Sequence, residues 1–316
     1  ISVGIAVEEI GRINPIEGLL PTLAHESFGA ISQNKKLCLE WVPQLIKGEI
    51  LIAFAMTEPG AGADAAAITT SAIKQGDHYI MNGEKTPVSM GSQSRIVILF
   101  AKTDPNEGAR GTSCFLIPLP FPGVSISEYD QMGFHPFKST TMYLDDVKLP
   151  EQFRLGEEGK GFYYAMEAFD VVRIGMALSC LGAAGATLEE TIKYTQQRVA
   201  FKKPLGSFQG ISFKLAEAAT LLEAARLLCY HTLGMQDGRL PHTKESAMCK
   251  WWVPKVAVQI IYDCLLIHGH VGYSQESPIE QRFRDTVGFQ IADGTAEIQK
   301  LIIARELLGK LGLKNG

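Results

Sequence analysis

What the chain lacks narrows its function first. Its six cysteines (Cys38, Cys114, Cys180, Cys229, Cys249 and Cys264) form no Cys-x-x-Cys pair and lie mostly in apolar runs. That spacing argues against a disulfide framework and predicts reduced core thiols in a reducing compartment, the cytoplasm or a mitochondrial matrix. Seven histidines supply no His-Glu-x-x-His, so no metal site is expected. The formal net charge is only −4, which gives no electrostatic reason to expect nucleic acid or an anionic membrane as a partner. No apolar run looks long enough for a bilayer and no targeting peptide is visible. Internal repeats and low-complexity tracts are missing too. So is an initiator Met: the chain opens at Ile1 inside a helical pattern, and a fragment or processed form is expected.

What remains is 316 residues, 46% hydrophobic and 20% charged, the make-up of a soluble globular protein with two or three layers or subdomains. Residues 1–50 read as mostly helical. From about Ile50 to Leu149 the period changes, and β-rich runs alternate with turn signals: ILIAFAMT, HYIMNG, RIVILFAKT, TSCFLIPL, GVSISEY and TTMYLDDVKL. Asn82-Gly83, Asp104-Pro105 and Pro122-Gly123 read as the punctuation. Without intervening helices this segment is an all-β insert of barrel or sandwich type. Beyond Pro150, long stretches that read as amphipathic helices cover about 161–201, 209–236, 243–272 and 296–309. The fold class is therefore α+β: an incomplete N-terminal helical domain (1–50), a middle β-domain (51–150) and a C-terminal four-helix bundle (151–316).

One junction stands out. From Ala296 onward, Ile298, Leu301, Ile302, Arg305 and Leu308 recur at helical spacing. Just before lies Asp293-Gly294-Thr295, with Gly294 to relax the backbone and Thr295 as the N-cap. A carboxylate at such a mouth, with apolar Phe289, Ile291 and Ala292 leading in, invites a raised pKa and proton transfer. The alternative is that Asp293 merely starts a helix.

At Ala55-Met56-Thr57-Glu58-Pro59-Gly60-Ala61-Gly62-Ala63-Asp64 the chain resembles the acyl-CoA dehydrogenase family, whose first motif reads much like A-[LM]-[ST]-E-P-x-A-G-S-D. Ile267-His268-Gly269-His270-Val271-Gly272-Tyr273 resembles a second motif. The Asp293 stretch resembles the family's Y-E-G-T-x-x-I-Q-x-x-I-x-A-R, and Arg198-Val199-Ala200-Phe201 with Pro204-Leu205 and Phe208-Gln209 resembles R-x-x-F-G-x-P-L…Q. These motifs occur in family order over nearly the whole chain.

The resemblance implies an FAD enzyme that removes two hydrogens from Cα and Cβ of an acyl-CoA thioester, a carboxylate taking the α-proton and the β-hydrogen leaving as hydride to flavin N5. It places Thr57 and Ser89 on the flavin ring. Arg198 and Phe201 fall toward the FAD of a neighbouring subunit, Gln209 near the adenosine half, and Gly269 and Thr295 at the cofactor. Asp293 takes the role of base and Gly294 lies at the substrate. Asp170 and Arg173 match a D-x-x-R pair along CoA, with an i,i+3 salt bridge as the other reading. Leu20 and Ala24 fall on the acyl-pocket floor, and no arginine is present there to pair with a distal carboxylate, so apolar acyl groups are favoured. His135 stands where the family has an arginine and reads as structural.

Several positions depart from the family pattern. Pro87 replaces the tryptophan beside the flavin, Ala63 a hydroxyl residue, Leu266 a glutamine and His270 a glycine. The base is Asp where Glu is usual, shorter by roughly 1.5 Å. The aspartate together with I-H-G-H-x-G-Y-S resembles members acting on alicyclic acyl-CoAs such as cyclohexane- or cyclohexene-carboxyl-CoA; Glu17 is a candidate second carboxylate. The family further implies a homotetramer built as a dimer of dimers, with electron-transfer flavoprotein as acceptor. The rival readings are a nitroalkane oxidase-like flavin oxidase, which also uses an aspartate base, a DNA-binding relative, which the absence of a basic patch disfavours, and a degenerate scaffold subunit.

Overall fold

The computed structural model describes residues 1–309; residues 310–316, the end of the expected bundle, lie outside the described residues. Contacts divide the chain into two compact units. One comprises Leu23–Gln131 and His135–Phe169, the other Ile1–Thr22, Met132–Phe134 and Asp170 onward.

The first unit is built on eight strands: β1 (Ile52–Ala55), β2 (Ser71–Gln75), β3 (His78–Ser89), β4 (Ile96–Lys102), β5 (Thr112–Pro118), β6 (Val124–Tyr129), β7 (Ser139–Pro150) and β8 (Arg154–Leu155). They run in the order β6-β7-β3-β2-β4-β5-β8, with β1 pairing parallel to β4. The β2–β4 join is the single pair Ser71↔Lys102, so two four-stranded halves are linked by one bridge. The period-2 alternation of a strand explains how β4 is buried throughout. Its Val97, Leu99 and Ala101 face a core shared with Tyr79, Met81, Phe115 and Leu149. Its Ile96, Ile98 and Phe100 face a second core with Ile31, Leu37 and Ala165. These come from helices α2 (Leu20–Ile31), α3 (Lys35–Ile46) and α4 (Gly161–Gln197).

Two sequence expectations change here. Asn82-Gly83 is not a turn: β3 runs through it, with a register shift between Met81 and Gly83. Gly83 sits at φ +150°, where an added Cβ would approach Thr70 Cα to 2.8 Å. The hairpin closes instead at Gly76-Asp77, beside the unexpected strand β2. Where β1 leaves the sheet, Glu58 and Lys85 form a buried ion pair at 2.8 Å. Lys85 also donates to the Met56 carbonyl at 2.9 Å, while Glu58 accepts from the Thr69 and Thr70 N–H groups. Burial alone would raise the Glu58 carboxyl, yet the Lys85 charge and these hydrogen bonds hold it at about 2.

The second unit is helical. It contains α1 (Ser2–Ile13), most of α4, α5 (Gln209–Asp237), α6 (Thr243–His268), α7 (His270–Tyr273), α8 (Pro278–Gly288) and α9 (Ala296–Leu308), with a small hairpin, β9 (Val199–Ala200) and β10 (Lys203–Pro204). α6 packs against α5, α8 and α9. α4 is not amphipathic as expected, because residues 172–188 are buried without a break. By length and composition α4 is apolar enough to cross a membrane, a stretch not expected from the sequence; 94% of its most apolar part is buried inside the protein, as in a core helix. Close approach explains its small residues. A Cβ on Gly182 would strike the Glu8 carbonyl and lie 2.7 Å from the Arg12 nitrogen, while Gly11 of α1 nests on Ser179. All six cysteines are free, five of them buried.

Gly182→Ala should lower unfolding free energy by about 3 kcal/mol, read as a lower denaturation midpoint at unchanged m. Lys85→Met should cost about 3–5 kcal/mol by stranding the Glu58 charge, and adding Glu58→Gln should recover more than half. Because the folded Glu58 pKa lies below its ordinary 4.5, its contribution to stability is complete above that value and fades as pH falls toward 2, as an acid titration of unfolding would show.

Candidate active site

In the helical unit the chain is set up for Asp293 by the end of α8. Ser277 caps that helix, its side chain accepting from the Ile279 N–H, and Pro278 occupies the first turn. At the other end the Phe134 ring lies against Gly288, leaving no room for a Cβ, and packs on fully buried Phe289 with centroids 5.0 Å apart. Phe134 N–H also donates to Asp285 at 2.7 Å. The chain then turns back, with Ile291 and Ala292 N–H both donating to the Gly288 carbonyl.

Asp293 follows in the left-handed region at φ +51° and Gly294 at φ +96°. Aspartate tolerates that region better than most residues. Two buried side chains tie the loop down. Lys250 of α6, 1% exposed, donates to the carbonyls of Phe289 (2.7 Å) and Gly294 (3.3 Å). Gln299 of α9, fully buried, donates to the carbonyls of Asp293 (3.4 Å) and Gly294 (3.3 Å). Thr295 occupies the N-cap position, but its side chain makes no capping hydrogen bond; the cap expected from the sequence is absent, and Gln299 holds the neighbouring backbone instead.

The partly buried Asp293 carboxyl is pushed above its ordinary range by desolvation, with Lys250 and then Arg173 pulling the other way. Lys250 is brought down to about 8 by its own burial, against the field of Asp293. Arg173 is 4% exposed and donates to Asp170 at 2.7 Å, so the i,i+3 ion pair left open by the sequence is formed. The second Asp170 oxygen accepts from Thr243 at 2.7 Å. The corner thus alternates carboxylate and cation: Asp170, Arg173, Asp293, Lys250.

Elsewhere in this unit Arg198 and Gln209 are exposed. Phe201 and Lys202 form the β9–β10 turn, both at positive φ, as a two-residue hairpin turn requires. Phe201 is 90% exposed at its tip. Gly269 ends α6 at φ +62°, with nothing within 4 Å of where a Cβ would sit. Leu20 on α2 is 37% exposed.

In the sheet unit Thr57 leaves β1 immediately before Glu58, and its carbonyl accepts from the Thr86 N–H at 2.9 Å. That bond ties Thr57 to the stretch of β3 ending at exposed Ser89. Ala24 on α2 is exposed. The side chains of Thr57, Ser89, Arg198 and Gln209 are engaged by no hydrogen bond among the described residues.

Sequence reasoning missed Lys250, Gln299 and the Glu58–Lys85 pair. A signal for Lys250 existed: it falls at core spacing with Ala247, Val253 and Ala257 on an otherwise apolar face, where a lysine needs a reason.

Comparison with known proteins gives these groups a setting. The family descriptions "Acyl-CoA dehydrogenase, middle domain" and "Acyl-CoA dehydrogenase, C-terminal domain" match residues 53–147 and 159–308. An acyl-CoA dehydrogenase of Bacillus subtilis is 39% identical over 96% of this chain and 82% of its own length. A caffeyl-CoA reductase–Etf complex subunit of Acetobacterium woodii is 36% identical over 97% and 82%. The solved butyryl-CoA dehydrogenase of Megasphaera elsdenii superposes with a TM-score of 0.93 at 36% identity, over 96% of this chain and 81% of that one. With both domains matched and such identity sustained along nearly the whole chain, the protein belongs to the acyl-CoA dehydrogenase family.

Proposed function

We propose that the protein is an FAD-dependent acyl-CoA dehydrogenase in which Asp293 takes the α-proton of an apolar thioester, short, branched or alicyclic. The observation that carries this reading is the under-solvated Asp293 carboxyl, raised by burial and presented from a loop fixed by Lys250 and Gln299. A general base needs basicity and a fixed position together. The Asp293 backbone N–H, next to the base, suits the polarisation of a thioester carbonyl.

The residues present fit FAD. Half-buried Thr57, just past β1, and exposed Ser89, at the end of β3, carry hydroxyls without a hydrogen bond among the described residues, and Arg198 and Gln209 carry exposed, unengaged donors suited to a pyrophosphate and an adenosine. Open backbone at Gly269 and the start of α9 at Thr295 admit close approach. When bound, FAD supplies the hydride acceptor. Related solved proteins include FAD complexes. Leu20 and Ala24 offer small apolar surface to an acyl chain, Gly294 opens the backbone beside the base, and Asp170 with Arg173 lies on the CoA side. Exposed Phe201 on its stiff hairpin suits contact across a homo-oligomer, a dimer of dimers. Electron-transfer flavoprotein is the proposed electron partner, in keeping with the Etf complex named for one relative and the electron transferring flavoprotein named for one solved neighbour.

A second reading concerns direction. Relatives at 36–39% identity carry reductase names, among them acryloyl-CoA reductase (NADH) of Anaerotignum propionicum. The same carboxyl, protonated, would return a proton to Cα in the reverse reaction.

Anaerobic mixing with a panel of saturated acyl-CoAs tests the proposal. Apolar cyclic or branched thioesters should bleach the flavin. The rate should rise with pH through an acid limb above the ordinary aspartate value of about 3.9, since Asp293 works only as the carboxylate. Asp293→Asn should bind the same thioester but bleach about a thousandfold more slowly. Undiminished turnover by that variant, or bleaching by nitroalkanes alone, sinks the reading; no bleaching by saturated thioesters, with the yellow colour returning when reduced enzyme meets enoyl-CoA, favours the reductase.

A further inference from the structure

Lys250 has no place in the chemistry described above, yet it is among the most deeply buried charged groups in the protein. We propose that Lys250 is a positioning residue for Asp293. Its ammonium, wedged between the carbonyls of Phe289 and Gly294, fixes the loop that carries the carboxylate and lends it a compensating charge. This rests on Asp293 being the base.

The geometry has three parts. First, the two accepting carbonyls bracket the turn, one before it and one directly after Asp293. A single rigid donor group on α6 therefore closes the loop across its mouth. Second, the conformation so closed contains a left-handed aspartate, which local propensity alone would not hold. Third, the corner is electrically closed. The ionisable groups that face it are Asp293 itself, Arg173 and Cys180 from α4 and Lys250 from α6, with Asp170 standing behind Arg173. Arg173 already spends a donor on Asp170. Among the described residues Lys250 spends its donors on backbone carbonyls alone, so its positive charge is not matched by a hydrogen-bonded carboxylate. A cation so held is free to offset the charge of an ionised Asp293 without drawing its oxygens away from a substrate. A direct salt bridge would tie those oxygens up.

The test compares Lys250→Met and Lys250→Gln in the FAD-loaded enzyme, with Asp293→Asn as reference and flavin content and thermal midpoint as folding controls. Lys250→Met removes donor and charge. It should slow single-turnover bleaching about a hundredfold, the scale of an ångström-sized misplacement, and move the acid limb of the pH profile up by about one unit or more, because a carboxylate that loses a nearby cation holds its proton more tightly. Lys250→Gln keeps amide donors for the two carbonyls but no charge. It should recover most of the rate while leaving the acid limb displaced. An unmoved acid limb in both variants overturns the proposal, whatever the rate, because a merely structural lysine would act that way. If neither variant folds, the wild type decides: its rate should fall as Lys250 gives up its proton above about 8, and a flat profile through that range overturns the proposal. Wild-type turnover by Asp293→Asn would instead remove the base assignment on which the inference stands.

Discussion

The loop at Asp293 is governed by one conflict. A strong carboxylate base must be poorly solvated, and a poorly solvated carboxylate resists ionising at all. The structure meets this with charges that neutralise one another and with backbone contacts that do not consume the carboxylate. Arg173 is drawn to Asp170, whose other oxygen is held by Thr243. Lys250 is drawn to carbonyl oxygens. Asp293 keeps the field of both cations, and burial still prevails, leaving its carboxyl raised. On the proposed reading, a carboxyl raised in this way suits a base, and its protonated form suits the reverse transfer.

The sheet unit solves a related problem with the same residue type. Lys85, fully buried, donates to the carbonyl of Met56, the residue before Thr57, and pairs with Glu58, the residue after it. Lys250 donates to the carbonyl of Gly294, the residue after Asp293. In both places a lysine reaches from a regular element to the backbone beside a proposed site residue and stiffens an irregular turn. Ammonium is suited to this: it is compact, has three donors and can satisfy two acceptors at once. The difference lies in the counter-charge. Lys85 has its carboxylate in direct contact and holds Glu58 at about 2, whereas Lys250 leaves its neighbouring carboxylate free. One pair is built for rigidity, the other for rigidity with a basic group to spare.

Much of this was legible in the sequence where a pattern is local. The strands IVILFAK and TSCFLIP, the helices at 209–237 and 296–308, and the Asp293 junction all announce themselves by period and punctuation. What failed did so because distant residues decide it. Asn82-Gly83 has the chemistry of a turn, but Thr70 crowds Gly83 and the strand passes through as a bulge. α4 has no polar face over residues 172–188 because that stretch is buried without a break. α8 is short and rich in charge, and its helix depends on contacts such as Arg284 with Glu280 and on the Phe134 segment. Thr295 looks like a capping residue, yet Gln299, four positions on, takes over the loop carbonyls. Lys250 was invisible as a partner because the carbonyls it binds lie about forty residues downstream, and nothing in a sequence marks a backbone acceptor.

The choice of aspartate over glutamate at position 293 follows from the same constraints. At φ +51° the side chain must fit a left-handed backbone, and short polar residues that can bond locally do so at least cost. Aspartate also keeps its carboxyl near the loop backbone, within the field of Lys250 and Arg173. The shorter reach, roughly 1.5 Å less, has a consequence on the proposed reading. A thioester must bring its α-carbon closer to the loop, and its acyl group must then be compact or turned, since a long straight chain would gain nothing from the shift. The residue that lowers strain in the loop and the class of acyl group proposed for the site are thus two results of one bond length.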